Sequence, residues 1–463
     1  MASSLSLSIL ASILSLLILP VLSSPTTITL QLKTTKPNSP SSQTPYQKLN
    51  YLASLSQHRA HHLKTPKIRP VSDTQLFPRS YGGYSISLNI GTPSQTIPFV
   101  MDTGSDFVWF PCTHKYTCRN CSFPATQPPQ TFIPKQSSTS RVVGCLNKKC
   151  GWVHNNPDVQ SRCADCSTSV KNCTQICPPY LIVYGSGSTG GISIVDNLNL
   201  PGKEVPDFLV GCSLFSSRQP AGIAGFGRGP TSLPNQLGLK KFSYCLLSHK
   251  FDDLPESSSL VLYTGKDSDT KTTKLSYTPI VKLPQIQDKQ TFSTFSVYYY
   301  IGLRKITVGG EKIKIPFKYL TPGPTGDGGT IVDSGSTFTF LTKNVHDLVV
   351  SALVKQVKKY KRAKDIESVA GLRPCFNISG YRNVNFPEMK LHFKGGAEMI
   401  LPTANYFSFV SDDMEAVCLT MVTDESGESG GPAIILGNYQ LQNFYTEFDL
   451  GNERFGFRQQ LCV

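Results

Sequence analysis

From Tyr81 onward, apolar and polar residues alternate with period two, the spacing of strands that bury one face. Residues 81–90 form one such run and Gly91-Thr-Pro93 a turn. A second run then climbs through Ile97-Pro-Phe-Val-Met101 to Asp102. Short runs of the same kind recur at residues 180–184, 191–200, 297–308 and 444–457, so the pattern predicts a mostly β protein. Helical spacing is sparse. It is mild between Tyr51 and Leu63 and plain in Val345, Leu348, Val349, Ala352 and Leu353, where the basic run from Lys355 to Lys364 continues it as a solvated face. Residues 25–75 are polar, begin Pro/Ser/Thr-rich and carry no cysteine, and they read as a removable segment outside the core.

The pattern also repeats on a larger scale. Asp102-Thr-Gly-Ser105 ends one apolar run, and Asp333-Ser-Gly-Ser336 ends another, Thr330-Ile-Val332. Composition alone gives about 0.005 such turns in a chain of this length, so two copies point to an internal duplication. Each turn has a later apolar-apolar-Gly partner, Gly222-Ile-Ala-Gly-Phe-Gly227 and Ala433-Ile-Ile-Leu-Gly437, where backbone can pass close to the Asp turn. The halves divide near residues 245–290, with the charged stretch from Lys266 to Lys274 as a surface loop.

Composition changes the picture in three places. Residues 5–22 are apolar and followed by Ser23-Ser24, the form of a secretory signal, with a membrane anchor as the competing reading. Fourteen cysteines then favour disulfides in an oxidising compartment. Nine of them fall between Cys112 and Cys177, so a fully oxidised chain needs a bridge out of that region. Cys118-x2-Cys121 and Cys163-x2-Cys166 resemble zinc-ligand pairs, but their separation exceeds zinc-ribbon spacing and no metal is expected. Asn120, Asn172 and Asn377 are glycosylation sequons. The net charge of +14 does not mark a nucleic-acid binder. Residues 25–80 hold eight Lys/Arg against Asp73 alone, and the other +7 is spread thinly over the rest.

The chemistry follows from the paired turns. Two close carboxylates do not both lose their protons easily, so an acid and a base coexist and can activate water without metal or cofactor. Gly104 and Gly335 let backbone approach the carboxylates. Ser105 and Ser336 can donate to their outer oxygens, and Thr103 and Ser334 can bond across to the opposite turn. Rival chemistries lack their parts. Gly185-Ser-Gly-Ser-Thr-Gly190 fits a dinucleotide fingerprint only in letters, because a strand and not a helix follows it. No H-E-x-x-H occurs.

These segments, with Asp102-Thr-Gly-Ser-Asp-Phe-Val-Trp109, Tyr184-Gly-Ser-Gly-Ser188, Phe242-Ser-Tyr-Cys245, Ile435-Leu-Gly-Asn438 and the closing residues 448–457, resemble the pepsin-type aspartic proteases, nepenthesin-like plant branch. The resemblance implies an all-β bilobal fold with a central cleft, after a signal peptide (1–24) and a propeptide (25–79). It places an N-terminal lobe at 80–250 with a Cys-rich insertion at 112–177, and a C-terminal lobe at 251–463. It implies catalytic Asp102 and Asp333, and a flap with Tyr184 and Gly185 over substrate, Tyr184 bonded by Trp109. Ser186 departs from the Asp that many relatives carry there. Implied disulfides are Cys112–Cys118, Cys121–Cys212, Cys145–Cys177, Cys150–Cys173, Cys245–Cys462 and Cys375–Cys418, with Cys163–Cys166 left as a pair. The implied protein is a secreted monomer, extracellular or vacuolar, whose mature chain has no membrane span and which cuts peptides or proteins in acid. The competing function is a catalytically inactive binding protein on the same fold, such as a glycosidase (xylanase) inhibitor.

Overall fold

The computed structural model describes residues 27–34, 44–64, 83–121, 129–154, 159, 161–166, 173–184, 187–219, 221–248, 257–263, 274–283, 294–408, 415–424 and 430–462. The signal-like residues 1–24, residues 266–273 of the charged stretch, Asn172, Gly185 and Ser186 lie outside them. The chain is mostly β, as the alternation predicts. Its largest sheet runs from Ser276–Pro279 at one edge to Arg141–Val142 at the other, and takes in strands from both halves of the sequence. Antiparallel neighbours dominate it.

The duplication is visible in the topology. Gly222–Gly225 lies parallel to the strand that ends at Asp102, pairing Gly225 with Asp102, and antiparallel to Trp109–Pro111 through Ile223 and Trp109. Ile434–Leu436 repeats this in the second half. It runs parallel to Thr330–Val332 and antiparallel to Thr339–Leu341. In both halves an apolar strand, ending in Gly225 or followed directly by Gly437, threads between the two strands that flank the Asp turn. The glycine is required by space: a Cβ on Gly437 would stand 2.7 Å from the Phe338 carbonyl carbon, and one on Gly225 would collide with the Asp106 backbone.

The N-terminal region departs from its expected place outside the core. Thr27–Thr34 is a strand in the large sheet, seated between Ser257–Tyr263 and Tyr84–Ile90. Ile28, Leu30 and Leu32 alternate inward and join the main core. Pro45–Lys64 is a helix whose Leu49, Leu52, Ala53, Ala60 and Leu63 are buried with Phe295, Phe338, Phe340 and Tyr439. The helical spacing between Tyr51 and Leu63 is borne out, but the polar composition of residues 25–75 hides the strand and the burial of both elements, because their apolar residues are few and confined to one face. The helix Lys343–Gln356 also ends before the basic run does; Val357 and Tyr360 turn inward there instead of continuing a solvated face.

Seven disulfides form, and five pairings differ from those the resemblance implied. Cys112 bonds Cys212, not Cys118, because Trp109–Pro111 and Lys203–Ser217 are parallel neighbours that bring these residues side by side. Cys121, expected to meet Cys212, closes on Cys118 at the next turn of chain. Cys150 bonds Cys177 instead of Cys173; Cys177 is drawn in when its amide donates to the Val143 carbonyl. Cys145, expected with Cys177, bonds Cys163, and Cys166 then pairs with Cys173 and not with Cys163. Cys245–Cys462 and Cys375–Cys418 are both formed.

Candidate active site

The strand Gln95–Asp102 buries Ile97, Phe99 and Met101 and delivers Asp102 at its end; Thr330–Val332 is buried throughout and delivers Asp333 just beyond. Each carboxylate is held identically. Gly104 N–H donates to Asp102 Oδ1 at 2.9 Å and Ser105 Oγ to Oδ2 at 2.5 Å. Gly335 N–H donates to Asp333 Oδ1 at 2.9 Å and Ser336 Oγ to Oδ2 at 2.6 Å. Such donors favour the ionised form and fix its plane.

The turns also grip each other. Thr103 N–H donates to Ser334 Oγ at 3.1 Å and Ser334 N–H to Thr103 Oγ1 at 2.9 Å. The two hydroxyls then donate onward, Thr103 to the Val332 carbonyl and Ser334 to the Met101 carbonyl. A Cβ on Gly104 would stand 2.6 Å from Asp333 Oδ1, and one on Gly335 2.5 Å from Asp102 Oδ1. Only glycine permits that approach. Thus all eight residues of the two turns meet at one centre.

Tyr184 and Trp109 are also brought together. Tyr180–Tyr184 and Gly187–Leu200 form a hairpin with Tyr184 opposite Gly187. Trp109 Nε1–H donates to Tyr184 Oη at 2.8 Å, with Tyr184 buried close enough to Asp102 for the carboxylate's field to reach its phenol. The glycosylation candidates Asn120 and Asn377 are exposed.

The residue that sequence reasoning missed is Arg59. Its guanidinium lies between the carboxylates, Nη2 donating to Asp102 Oδ1 at 2.5 Å and Asp333 Oδ1 at 3.1 Å, and Nε to Asp333 Oδ2 at 3.0 Å. All three groups are buried. A signal was present: Leu49, Leu52, Ala53, Ser56, Ala60 and Leu63 recur at helical spacing, and Arg59 falls on that stripe. A buried arginine on a helix with no acidic residue must find its partner elsewhere.

The helix is tied to the second half of the chain. Ser56 Oγ accepts from Phe338 N–H at 2.9 Å, Gln57 donates to the Thr423 carbonyl, Asn50 donates to the Val369 carbonyl, and Tyr46 Oη accepts from Ala416 N–H. His62 reaches the other side, its ring centroid 6.4 Å from that of Tyr184.

One cation can balance one carboxylate, and the environment decides which. Burial raises Asp102; Arg59 opposes this, but the Asp333 charge adds to the rise and leaves its carboxyl above the ordinary range. Burial pushes Asp333 up too, yet the ion pair and hydrogen bonds with Arg59 outweigh it and hold this carboxyl low. Arg59 is itself held more firmly protonated. With the helix in place, Asp333 is the member that ionises more readily and Asp102 the one that holds its proton to higher pH.

Comparison with known proteins is consistent with this geometry. Residues 84–262 match the family model described as xylanase inhibitor N-terminal, and residues 298–459 the one described as xylanase inhibitor C-terminal. The chain is 33% identical over 420 residues to a "probable aspartyl protease" of Arabidopsis thaliana, covering 82% of each protein. It is 30% identical over 388 residues to aspartic proteinase nepenthesin-1 of Nepenthes gracilis, covering 82% of this chain and 78% of that one. The fold is shared with the crystal structure of edgp (TM-score 0.63, 21% identity, 95% and 96% covered). It is shared as well with basic 7S globulin from soybean (TM-score 0.60, 18% identity, 94% and 96% covered). By this identity and coverage the chain belongs to the plant pepsin-type aspartic proteases.

Proposed function

We propose that this chain is the latent precursor of an aspartic endopeptidase that acts in acid. The observation that carries the reading is the matched pair of carboxylates, one per half, held by equivalent donors and sharing a single cation. In the active form, water and a peptide take the space that Arg59 fills. The ionised carboxylate removes a proton from the water, whose oxygen bonds to the scissile carbonyl carbon. The protonated carboxyl gives its proton to the carbonyl oxygen, and the product is a neutral gem-diol. Collapse of the gem-diol breaks the C–N bond: the amine takes the proton that came from water, a gem-diol hydroxyl returns one to the other carboxylate, and both carboxyls regain their starting states. The Tyr184 hairpin covers the substrate during these steps.

In this reading residues 1–24 direct secretion, with seven disulfides suited to an oxidising compartment, and residues 25–79 are the propeptide. Among the described residues no helix is long and apolar enough to cross a membrane. Arg59 gives latency a pH dependence. The Asp333 carboxyl is held low by the ion pair, so docking of the helix is strengthened above the ordinary carboxylate range and weakens as pH falls through the lowered value.

A second reading, a binding protein on the same fold, draws on the description of the matched family models. Turnover separates the two. The acid-treated protein should cleave peptides, pepstatin should block it, and Asp102→Asn should abolish cleavage; cleavage that survives Asp102→Asn refutes the mechanism.

A further inference from the structure

The last residue of the N-terminal helix is seated where a cation has little reason to be. Lys64 is 1% exposed, and its Nζ has no hydrogen-bond partner among the described residues. Nζ stands 4.7 Å from the centroid of the Phe340 ring. Burial pushes the Lys64 ammonium's pKa down, and the charges of Asp424 and Asp327 oppose this only in part. The backbone is close-fitted here. A Cβ on Gly431 would stand 2.6 Å from Lys64 Cα, and Gly431 N–H donates to Asp327 Oδ1 at 2.7 Å, fixing that carboxylate beside the hollow. Phe295 closes another wall, and Tyr298 Oη meets the Leu63 carbonyl at 3.5 Å. Once the helix leaves and water returns, the burial penalty eases, and an aromatic face with two carboxylates then favours an alkylammonium or guanidinium group.

We infer that the hollow around Phe340, Asp327 and Asp424 is a substrate subsite for a lysine or arginine side chain, which Lys64 occupies until the helix withdraws. The inference rests on the endopeptidase reading and adds the substrate class. Its place in a substrate follows from the helix. Lys64 is five residues beyond Arg59, and at 1.5 Å per residue plus the turn of the helix their Cα atoms are roughly 8 Å apart. An extended peptide rises about 3.3 Å per residue, so the basic residue belongs roughly two to three positions from the scissile bond. Neither the dyad nor the flap pair contributes to this hollow, so the preference it confers is separable from the chemistry.

The test uses activated enzyme and peptides with a fixed apolar scissile pair, in which each flanking position carries lysine, arginine, norleucine or glutamate in turn. Near pH 5 most carboxylates are ionised, and lysine or arginine at one position should raise kcat/KM about tenfold over norleucine. In the enzyme carrying Asp327→Asn and Asp424→Asn, which keeps an acceptor for Gly431, that ratio should fall to near one. Cleavage of the norleucine parent reports on the endopeptidase reading alone; the ratio reports on the subsite. Binding of the same peptides to the Asp102→Asn protein, read by fluorescence anisotropy, gives the ratio without turnover. No preference for a basic residue at any position, or a preference that survives the double substitution, overturns the inference.

Discussion

Acid should weaken this fold through His346, a residue remote from the proposed chemistry. His346 is 1% exposed in the first turns of the helix Lys343–Gln356. Its Nε2–H donates to the Met421 carbonyl at 3.3 Å, and Nδ1 is a buried acceptor with no hydrogen bond among the described residues. Burial and the nearby Arg373 disfavour a second proton, against weaker support from the Met421 carbonyl and Asp347, and the imidazole titrates at about 4 instead of 6.5. The helix N-terminus opposes a cation as well. The sign follows. Below 6.5 the unfolded chain takes up a proton that the folded protein refuses, so stability falls with pH until about 4, where the folded imidazole titrates. The difference 6.5 − 4 is 2.5, and at about 1.36 kcal/mol per pH unit the loss is about 3 kcal/mol. His346→Gln keeps a donor for Met421 and removes the titration. Urea unfolding of both proteins with disulfides intact, near pH 7 and near pH 4, gives a double difference in which any packing cost cancels. The expected value is about 3 kcal/mol in favour of the variant in acid. Equal losses in the two proteins would refute the assignment.

Three further outcomes are expected. Arg59→Met leaves two buried carboxylates without their cation, at a cost of roughly 3–5 kcal/mol to helix docking; the precursor should shorten at a higher pH than wild type on gels, and an unchanged conversion pH would remove Arg59 from latency. Tyr184→Phe deprives the buried Trp109 Nε1–H of its acceptor, a loss of about 1–3 kcal/mol. Peptide kcat/KM should fall about tenfold or more, and because the chain has only two tryptophans the emission should shift measurably. Replacing Cys245 and Cys462 together by serine frees a closure of 217 residues and should cost roughly 2–5 kcal/mol, read from the urea midpoint.

What the sequence revealed and what it concealed divide along physical lines. The Asp turns were legible because they are short, duplicated and composed of residue types with few other uses together. The strands after Tyr81 were legible because one face of each is buried and the other is not. Disulfide partners were not, because Cys112 meets Cys212 through the adjacency of two strands and no local spacing encodes adjacency. Arg59 was concealed by averaging. Counted with seven other basic residues of a polar segment it is a surplus charge, whereas placed on the stripe of Leu52, Ser56 and Leu63 it is a buried cation. Lys64 was hidden in the same way.

The strand Thr27–Thr34 holds the N-terminal region to the body by a route other than the Arg59 ion pairs. Chain continuity joins it to the body only through residues beyond Lys64, so a single cut between Lys64 and Gly83 turns it into a separate peptide. That peptide would still pair with Ser257–Tyr263 along seven residues and bury Ile28, Leu30 and Leu32, worth roughly 5–9 kcal/mol of apolar burial. Scission there does not by itself evict the strand, which becomes a guest held by mass action. Dilution and time, and not the cut alone, then govern whether this slot in the large sheet stays filled.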